Sequence, residues 1–338
     1  MKGTSKLLLV ALGMVAAMVT LTAGATIGID VGLQGQLPSV KEIVQLLKTR
    51  SVTNVRIYDS SPSVLNEFAG QGIKVSVTVP NDVLVSIANS QSVATSWVQK
   101  NVKPYVDFID RIVVGNEWLH DRNNDPSKLL AAMENVNTAV TSLGINKKIT
   151  TAHAYDIVEG YPPSAGTFIN RGVMSSILAF LKRTDSAIMV NIYPYFTYIG
   201  QPGSMDINYA LGNANARTIV DSGTGKTYTN LLDAQVDTVV SAMKALGYGS
   251  EVRFIIGESG WPSAGTTYAT VANAKTYNQN LVRYALGGKG SPLRPGINFP
   301  TYIFALFNEN RKPGDETEKN FGLYKPDKTP VYSVNLSL

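Results

Sequence analysis

Short apolar runs rich in Val, Ile and Thr alternate along this chain with stretches of helical periodicity. Most of these runs are almost continuously apolar, which predicts strands buried on both faces, as in a parallel sheet. Eight such strands separated by helices favour a single-domain (β/α)8 barrel over an open doubly wound sheet. The predicted strands are Thr26–Val31, Asn54–Asp59, Lys74–Val79, Arg111–Glu117, Lys148–Ala154, Ala187–Phe196, Arg253–Gly260 and Thr301–Glu309.

Capping residues mark the helices that connect these strands. Ser39 precedes the first one, and an Asp-Pro pair at positions 125–126 opens the longest. The segment Gly28–Gly35 lacks the glycine spacing of a nucleotide-binding turn, which disfavours the open sheet. The polar stretch Gly200–Thr229 predicts an excursion beside strand six at the barrel mouth. The predicted helices are Val40–Lys48, Val64–Ala69, Asp82–Ala88, Ser92–Asn101, Pro126–Leu143, Met174–Arg183, Leu231–Leu246 and Thr270–Leu286.

The first 25 residues have the pattern of a secretory signal peptide. Lys2 and Lys6 form a basic start, Leu7–Val19 is mostly apolar, and an Ala-Gly-Ala triplet stands at positions 23–25. An uncleaved anchor helix is the alternative, although Leu7–Val19 is short for a membrane span. We expect cleavage after Ala25, export to the cell wall or vacuole, and a catalytic domain over residues 26–338 with no membrane attachment.

Composition excludes several classes of protein. Of the 338 residues, 44% are hydrophobic and 16% charged, which permits a large core and argues against a disordered chain. The absence of cysteine excludes thiol catalysis and cysteine-ligated metal. The net charge of +5 becomes +3 without Lys2 and Lys6, and the basic residues are dispersed, so nucleic acid is not an expected partner. We expect a monomer.

Metal and serine-triad chemistry have little support in the sequence. His120 and His153 are the only histidines and have no metal-ligand spacing, and no Gly-x-Ser-x-Gly elbow occurs. His153 ends strand five, where a hydrogen-bonded structural role is expected. We therefore predict neither a metal nor a cofactor.

Three predicted strands end in a glutamate at the edge where barrel enzymes place their active sites. These are Glu117, Glu258 and Glu309, with Trp118 and Trp261 beside the first two. A carboxylate next to an apolar strand is costly unless it is paired or catalytic, so a salt-bridged rim residue is the alternative for each. Aromatic faces beside acids suit sugar rings, and two carboxyl groups are the minimum equipment for glycoside hydrolysis.

Several segments around these residues resemble the plant β-1,3-glucanases of glycoside hydrolase family 17. The resemblance extends from about Thr26 to Ser333. Its most specific parts are the Gly-Asn-Glu at 115–117 and the Glu-Ser-Gly-Trp-Pro at 258–262. The matching segments are Val55–Tyr58, Val79–Asp82, Ser96–Gln99, Val114–Glu117, Pro162–Gly166, Met189–Phe196, Gly257–Gly265 and Ala305–Asn310.

The resemblance implies a (β/α)8 barrel without a cofactor that hydrolyses β-1,3-glucan internally with net retention at the anomeric carbon. It implies that Glu117 is the acid/base and Glu258 the nucleophile. Retention requires the two carboxyl groups to lie about 5–5.5 Å apart. The family pattern also places Glu309, Lys312 and Glu318 as a charged group beside the nucleophile. There Lys312 would help to keep Glu258 ionised and would orient Glu309 or Glu318.

Further residues complete the predicted site. The Asn116 amide is placed to bond the sugar 2-hydroxyl, and Asn191 is a further substrate-binding candidate. Tyr58 and Tyr193 are candidates to bond Glu258 or the central sugar. Candidates for stacking along the cleft, against the alternative of barrel packing, are Tyr195, Phe196, Trp261 and Phe321.

Two departures from the family pattern leave the substrate open. Asp30-Val31-Gly32 replaces the usual Asn-Tyr-Gly, and Trp118 replaces a small aliphatic residue. Mixed-linkage β-1,3-1,4-glucan hydrolysis and glucanosyl transfer remain alternatives. A weakly active β-glucan-binding wall protein is another, which only the Asp30-Val31 pair favours.

Overall fold

Eight parallel strands close into a barrel in the computed structural model, which describes residues 26–337. Each strand pairs with the next, and the last pairs with the first. The (β/α)8 prediction is therefore confirmed, whereas the predicted signal peptide lies outside the described residues. The strands are β1 (Ile27–Val31), β2 (Asn54–Ile57), β3 (Lys74–Val79), β4 (Ile109–Asn116), β5 (Lys148–Ala154), β6 (Ala187–Asn191), β7 (Arg253–Ser259) and β8 (Thr301–Ile303).

Two strands end at least five residues earlier than the apolar pattern predicts. The sixth was predicted to reach Phe196, but β6 ends at Asn191 and a helix begins at Pro194, a residue suited to the first helical turn. The eighth was predicted to reach Glu309, but β8 ends at Ile303. Beyond Ile303 the backbone hydrogen-bonds mainly to residues 321–324 near the C-terminus, so its apolar side chains stay buried outside the barrel ladder.

Helices surround the barrel, and every predicted helix is present with its ends shifted by a few residues. The first has the capping box that Ser39 and Glu42 indicate. Two short helices, α7 and α8, were not predicted. The helices are α1 (Val40–Thr49), α2 (Pro62–Phe68), α3 (Asn81–Asn89), α4 (Gln91–Asn101), α5 (Pro126–Ser142), α6 (Arg171–Arg183), α7 (Pro194–Gly200), α8 (Ile207–Leu211), α9 (Leu231–Ala245) and α10 (Val271–Leu286).

The predicted excursion at residues 200–229 carries α8 and a two-stranded hairpin. Asp221 fastens it to the loop after β5 by accepting hydrogen bonds from the Ser164 amide and hydroxyl, at 2.7 and 2.6 Å. No helix within residues 26–337 is both long and apolar enough to cross a bilayer.

A left-handed corner at the end of β4 turns the chain toward the barrel mouth. Gly115 has φ of +69° and Glu117 has φ of +54°, which is a strained conformation for a residue with a side chain. The Asn81 side chain stabilises this corner, because its amide donates to the Asn116 carbonyl and accepts from the Asn116 N–H, both at 2.8 Å. Such strain is typical of functional positions.

Candidate active site

A cavity of about 790 Å³ opens at the C-terminal ends of the barrel strands. This is the edge at which barrel enzymes carry their active sites. Glu117 and Glu258 both line it, although they are 141 positions apart in the sequence. The other predicted site residues that line the cavity are Tyr58, Asn116, Asn191, Tyr193, Phe196, Glu309, Lys312, Glu318 and Phe321.

Glu258 is held by three hydrogen-bond donors at the end of β7, where only 5% of the residue is exposed. Its Oε1 accepts from Arg56 at 2.9 Å and from the Tyr58 hydroxyl at 2.7 Å, and its Oε2 accepts from the Tyr193 hydroxyl at 2.7 Å. Burial and the nearby carboxylates raise the pKa of both tyrosines well above its usual value, so they stay hydroxyl donors. The surroundings therefore match an ionised carboxylate with fixed orientation.

Arg56, which sequence reasoning did not single out, connects Glu258 to the rest of the site. Its side chain is fully buried on β2, and its Nη1 also donates to the Gly257 carbonyl at 3.1 Å. Its Nη2 donates to Asn116 Oδ1 at 2.6 Å. The available signal was a basic residue inside the apolar run Val55–Tyr58, since a buried charge requires a partner.

Glu117 has a different environment from that of Glu258. Its Oε1 accepts a hydrogen bond from Asn191 Nδ2 at 2.8 Å. Burial, together with the negative charge of Glu258, raises the pKa of Glu117 to about 7, against opposing effects of Asn191, Arg56 and His120. One cavity therefore contains an ion-paired carboxylate and a carboxyl group that holds its proton near neutral pH, which is the pair that glycoside hydrolysis requires.

Comparison with known proteins identifies the family. The model of the glycosyl hydrolases family 17 matches residues 27–336, which is nearly the whole described chain. The chain belongs to glycosyl hydrolase family 17. It is therefore a glycoside hydrolase, and the resemblance inferred from the sequence is confirmed.

Individual relatives of family 17 cover almost the full chain. An acidic-isoform glucan endo-1,3-β-glucosidase of Zea mays is 42% identical over 320 residues, covering 94% of this chain and 93% of the relative. The solved structure of a β-1,3-glucanase and allergen of Cryptomeria japonica pollen has a TM-score of 0.88 and 44% identity, covering 92% of this chain and 99% of that one. A solved structure from work on two plant β-glucan endohydrolases with distinct substrate specificities has a TM-score of 0.84 and 39% identity, with 91% and 99% coverage.

The charged group of this family 17 member, Glu309, Lys312 and Glu318, lines the cavity. Lys312 pairs with Glu318 at 2.9 Å and lies 4.4 Å from the centre of the Phe304 ring. The expected contact of Lys312 with Glu318 is therefore present, whereas the ion-pair partner of Glu258 is Arg56. Glu309 accepts a hydrogen bond from the Gln34 N–H at 2.8 Å. It thereby ties the loop after β1 to the segment after β8.

Two of the predicted stacking residues cannot reach a sugar. Trp261 and Tyr195 have no exposed surface, and their rings pack against each other with centroids 5.1 Å apart. For these two, barrel packing is the correct interpretation. Phe196 is 41% exposed and lines the cavity, whereas Phe321 lines it with only 2% exposure. Trp118 is also buried and donates to the Asp125 carbonyl, so it supports the loop that follows β4.

The side chains of two buried ionisable residues, His153 and Asp30, have no hydrogen-bond partner among residues 26–337. His153 is fully buried, but neither ring nitrogen has a hydrogen-bond partner within residues 26–337, so the expected hydrogen-bonded role was wrong. Burial lowers the pKa of His153 to about 4, which keeps it neutral. Asp30 is buried beside Arg56 in the strand register. Burial raises the pKa of Asp30 well above its usual value, and the charges of Glu258 and Glu309 add to the shift.

Neither Asp30 nor Val31 lines the cavity. Val31 is only 2% exposed and packs in the core, so the cavity wall on this side begins with Gly32, Leu33 and Gln34. Gly32 is required there, because a Cβ at this position would collide with the Glu309 carboxylate. The part of the chain that the structure describes contains no cluster of three His, Cys, Asp or Glu residues suited to a metal ion.

Replacing Arg56 tests the buried ion pair. Arg56→Met preserves the length of the side chain but leaves Glu258 without its cation, so the free energy of unfolding should fall by roughly 3–5 kcal/mol. Urea denaturation followed by circular dichroism measures this change. Arg183→Met is the matched control, because it breaks an exposed pair with Glu134 and should cost less than about 1 kcal/mol. Equal effects of the two replacements would contradict the assignment.

Proposed function

We propose that this chain hydrolyses internal β-1,3-glucosidic bonds of β-glucans with net retention, through a double displacement by Glu258 and Glu117. The observation that carries the proposal is the contrast between the two carboxyl groups that line one cavity. Glu258 is fixed by a cation and two hydroxyl donors, while burial and like charge raise the pKa of Glu117. The β-1,3 linkage is supported by the names of the relatives from Zea mays and Cryptomeria japonica.

In the first step a Glu258 oxygen attacks the anomeric carbon while Glu117 donates its proton to the departing glycosidic oxygen. The carbon–oxygen bond to the leaving sugar breaks and a covalent glycosyl-enzyme forms. This ester removes the negative charge of Glu258, which is one cause of the raised pKa of Glu117. The pKa of Glu117 should therefore fall in the intermediate. Glu117 is then better suited to take a proton from the water that attacks the anomeric carbon.

The neighbouring amides give the sugar a fixed position. Asn116 Oδ1 is engaged by Arg56, which leaves the amide N–H groups of Asn116 as donors to the sugar 2-hydroxyl. Asn191 holds Glu117 and Asn116 through one Nδ2 group, at 2.8 and 3.3 Å. Orientation of the acid and contact with the 2-hydroxyl thus depend on the same small network.

Digestion of defined glucans by the purified chain tests the proposal. We expect internal cleavage of β-1,3-glucan, with products released in the β configuration and detected by NMR before mutarotation. Glu117→Gln and Glu258→Gln should each lower the rate of reducing-sugar release by about 10^3-fold or more, measured on protein that circular dichroism shows to be folded.

Several results of this digestion would contradict the proposed function and favour an alternative. Initial α products would exclude double displacement, and faster cleavage of mixed-linkage glucan would favour the β-1,3-1,4 alternative. Longer products would indicate glucanosyl transfer. Glucan binding without any turnover by a folded, unmodified chain would favour the wall-protein alternative. Glu134→Gln, at an exposed ion pair on α5, is a matched control that should keep the parent rate.

The pKa of Glu117 predicts the basic limb of the pH profile. The first step needs protonated Glu117, so kcat/KM should fall about tenfold per pH unit as the pH rises above about 7. The rate below that pH should depend little on this group. A substrate with an activated aryl leaving group should show a weaker basic limb, because its departure needs less proton transfer. A flat profile between pH 6 and 9 on glucan would contradict the role.

We also propose that residues 1–25 are a signal peptide and that the exported catalytic domain acts as a monomer in the cell wall or vacuole. The support is the basic and apolar pattern that ends at Ala25. Expression in a secreting eukaryotic host should give a mature chain whose N-terminal sequence begins at Thr26. Recovery of the chain in the membrane fraction with Met1 retained would show an anchor instead.

A further inference from the structure

The cavity continues past Glu117 toward the loops that follow β4 and β5. This end is lined by His120, Tyr155 and Asp156. Sequence reasoning gave none of them a role in the reaction. His120 lies on the same turn as Glu117, since its N–H donates to the Glu117 carbonyl at 2.9 Å.

The Asp156 carboxylate holds His120 in place, and Arg122 in turn holds that carboxylate. Its Nδ1 lies 2.9 Å from Asp156 Oδ2, and Arg122 donates to the same oxygen at 3.2 Å. The His120 side chain is still 64% exposed. Because Nδ1 is engaged by Asp156, Nε2 is the ring nitrogen left to bond a ligand in the cavity.

The two-glutamate mechanism indicates which sugar of the substrate would contact His120. The groups that hold Glu258 come from β2, from the residue that follows it and from the loop between β6 and α7, and they define the position of the sugar under attack. Glu117 protonates the oxygen between this sugar and the departing one. The departing sugar must therefore lie beyond Glu117, at the end of the cavity where His120 stands.

We propose that His120 Nε2 binds the sugar on the leaving-group side of the scissile bond, with Asp156 and Arg122 as positioning residues. This proposal rests on the two-glutamate mechanism above. By microscopic reversibility, the same contact holds an acceptor sugar that competes with water for the glycosyl-enzyme. In that step the acceptor hydroxyl oxygen bonds to the anomeric carbon, its proton passes to Glu117, and the bond to Glu258 breaks.

His120→Asn separates the sugar contact from the hydrogen bond to Asp156. An asparagine Nδ2 can replace His120 Nδ1 beside Asp156, but nothing replaces Nε2. On a defined β-1,3-linked oligosaccharide, KM should rise roughly tenfold with a smaller change in kcat, as loss of one hydrogen bond to substrate predicts. His120→Ala should give the same rise, because both lack Nε2. Asp156→Asn should give a smaller one, because it only loosens the ring.

A second substrate separates binding from chemistry. On an activated aryl glycoside of the same oligosaccharide, which has no leaving-side sugar, kcat/KM of the variants should stay within about twofold of the parent. The acceptor concentration for half-maximal transfer product should rise about tenfold. Lys182→Gln is the matched control, because it breaks a similarly exposed ion pair with Glu251 away from the cavity.

Distinct results would overturn the inference. Equal losses on both substrates would show that His120 acts through Glu117 or the fold. Parent-like kinetics of His120→Asn would show that His120 only holds a hydrogen bond to Asp156 at the rim. In either case, turnover of the aryl glycoside by the parent would leave the two-glutamate mechanism standing. A folded parent that cleaves neither substrate would overturn both proposals.

Discussion

The buried guanidinium of Arg56 is the group on which the arrangement of the site depends. Moving a charge out of water costs several kcal/mol unless its hydrogen bonds and its counter-charge are replaced. Here the replacements come from three other strands across the barrel: the Glu258 carboxylate, the Gly257 carbonyl, and the side-chain oxygens of Asn191 and Asn116. These groups meet only when the barrel is closed. The contacts that close the barrel around Arg56 therefore also place the nucleophile Glu258.

Close packing around this cation explains the small residues beside it. A Cβ on Gly257 would lie 2.7 Å from Asn191 Oδ1 and 2.5 Å from Met189 Cγ, so a larger residue would displace the amide that holds Glu117. Both amides, Asn116 and Asn191, contact Arg56, and Asn191 also contacts Glu117. The two carboxyl groups are thus joined by one network, although their environments favour opposite protonation states.

Some aromatic residues near the site position the groups that hold Glu258, and others support the cavity wall from behind. Tyr193 packs edge-to-face on Phe321 with centroids 5.5 Å apart, and Tyr58 packs in the same manner on Phe304 at 6.4 Å. This ring packing fixes the two hydroxyl groups that hold Glu258. Deeper rings such as Trp261 carry no cavity surface and stabilise the wall from behind. A rigid wall of this kind keeps catalytic groups oriented without the cost of ordering them on binding.

The sequence by itself determined the barrel and the two carboxyl groups at its mouth. Apolar runs of strand length indicate strands that are buried on both faces. The residue that follows such a run lies at the C-terminal edge of the barrel, independently of how the loops fold. Local pattern therefore sufficed to place Glu117 and Glu258 on one rim, and the family segments pointed to the same pair.

Only the tertiary structure decided the partners of these groups. Arg56 and Glu258 are 202 positions apart, and no local pattern indicates that barrel closure brings them together, so the sequence did not predict this ion pair. An apolar run also does not reveal which segment its backbone pairs with, which is why β8 was predicted too long. Likewise, the sequence does not distinguish the aromatic residues of the family segments from one another, yet Phe196 faces the cavity and Trp261 is buried. Each of these outcomes depends on contacts between residues distant in the chain, and such contacts exist only in the folded state.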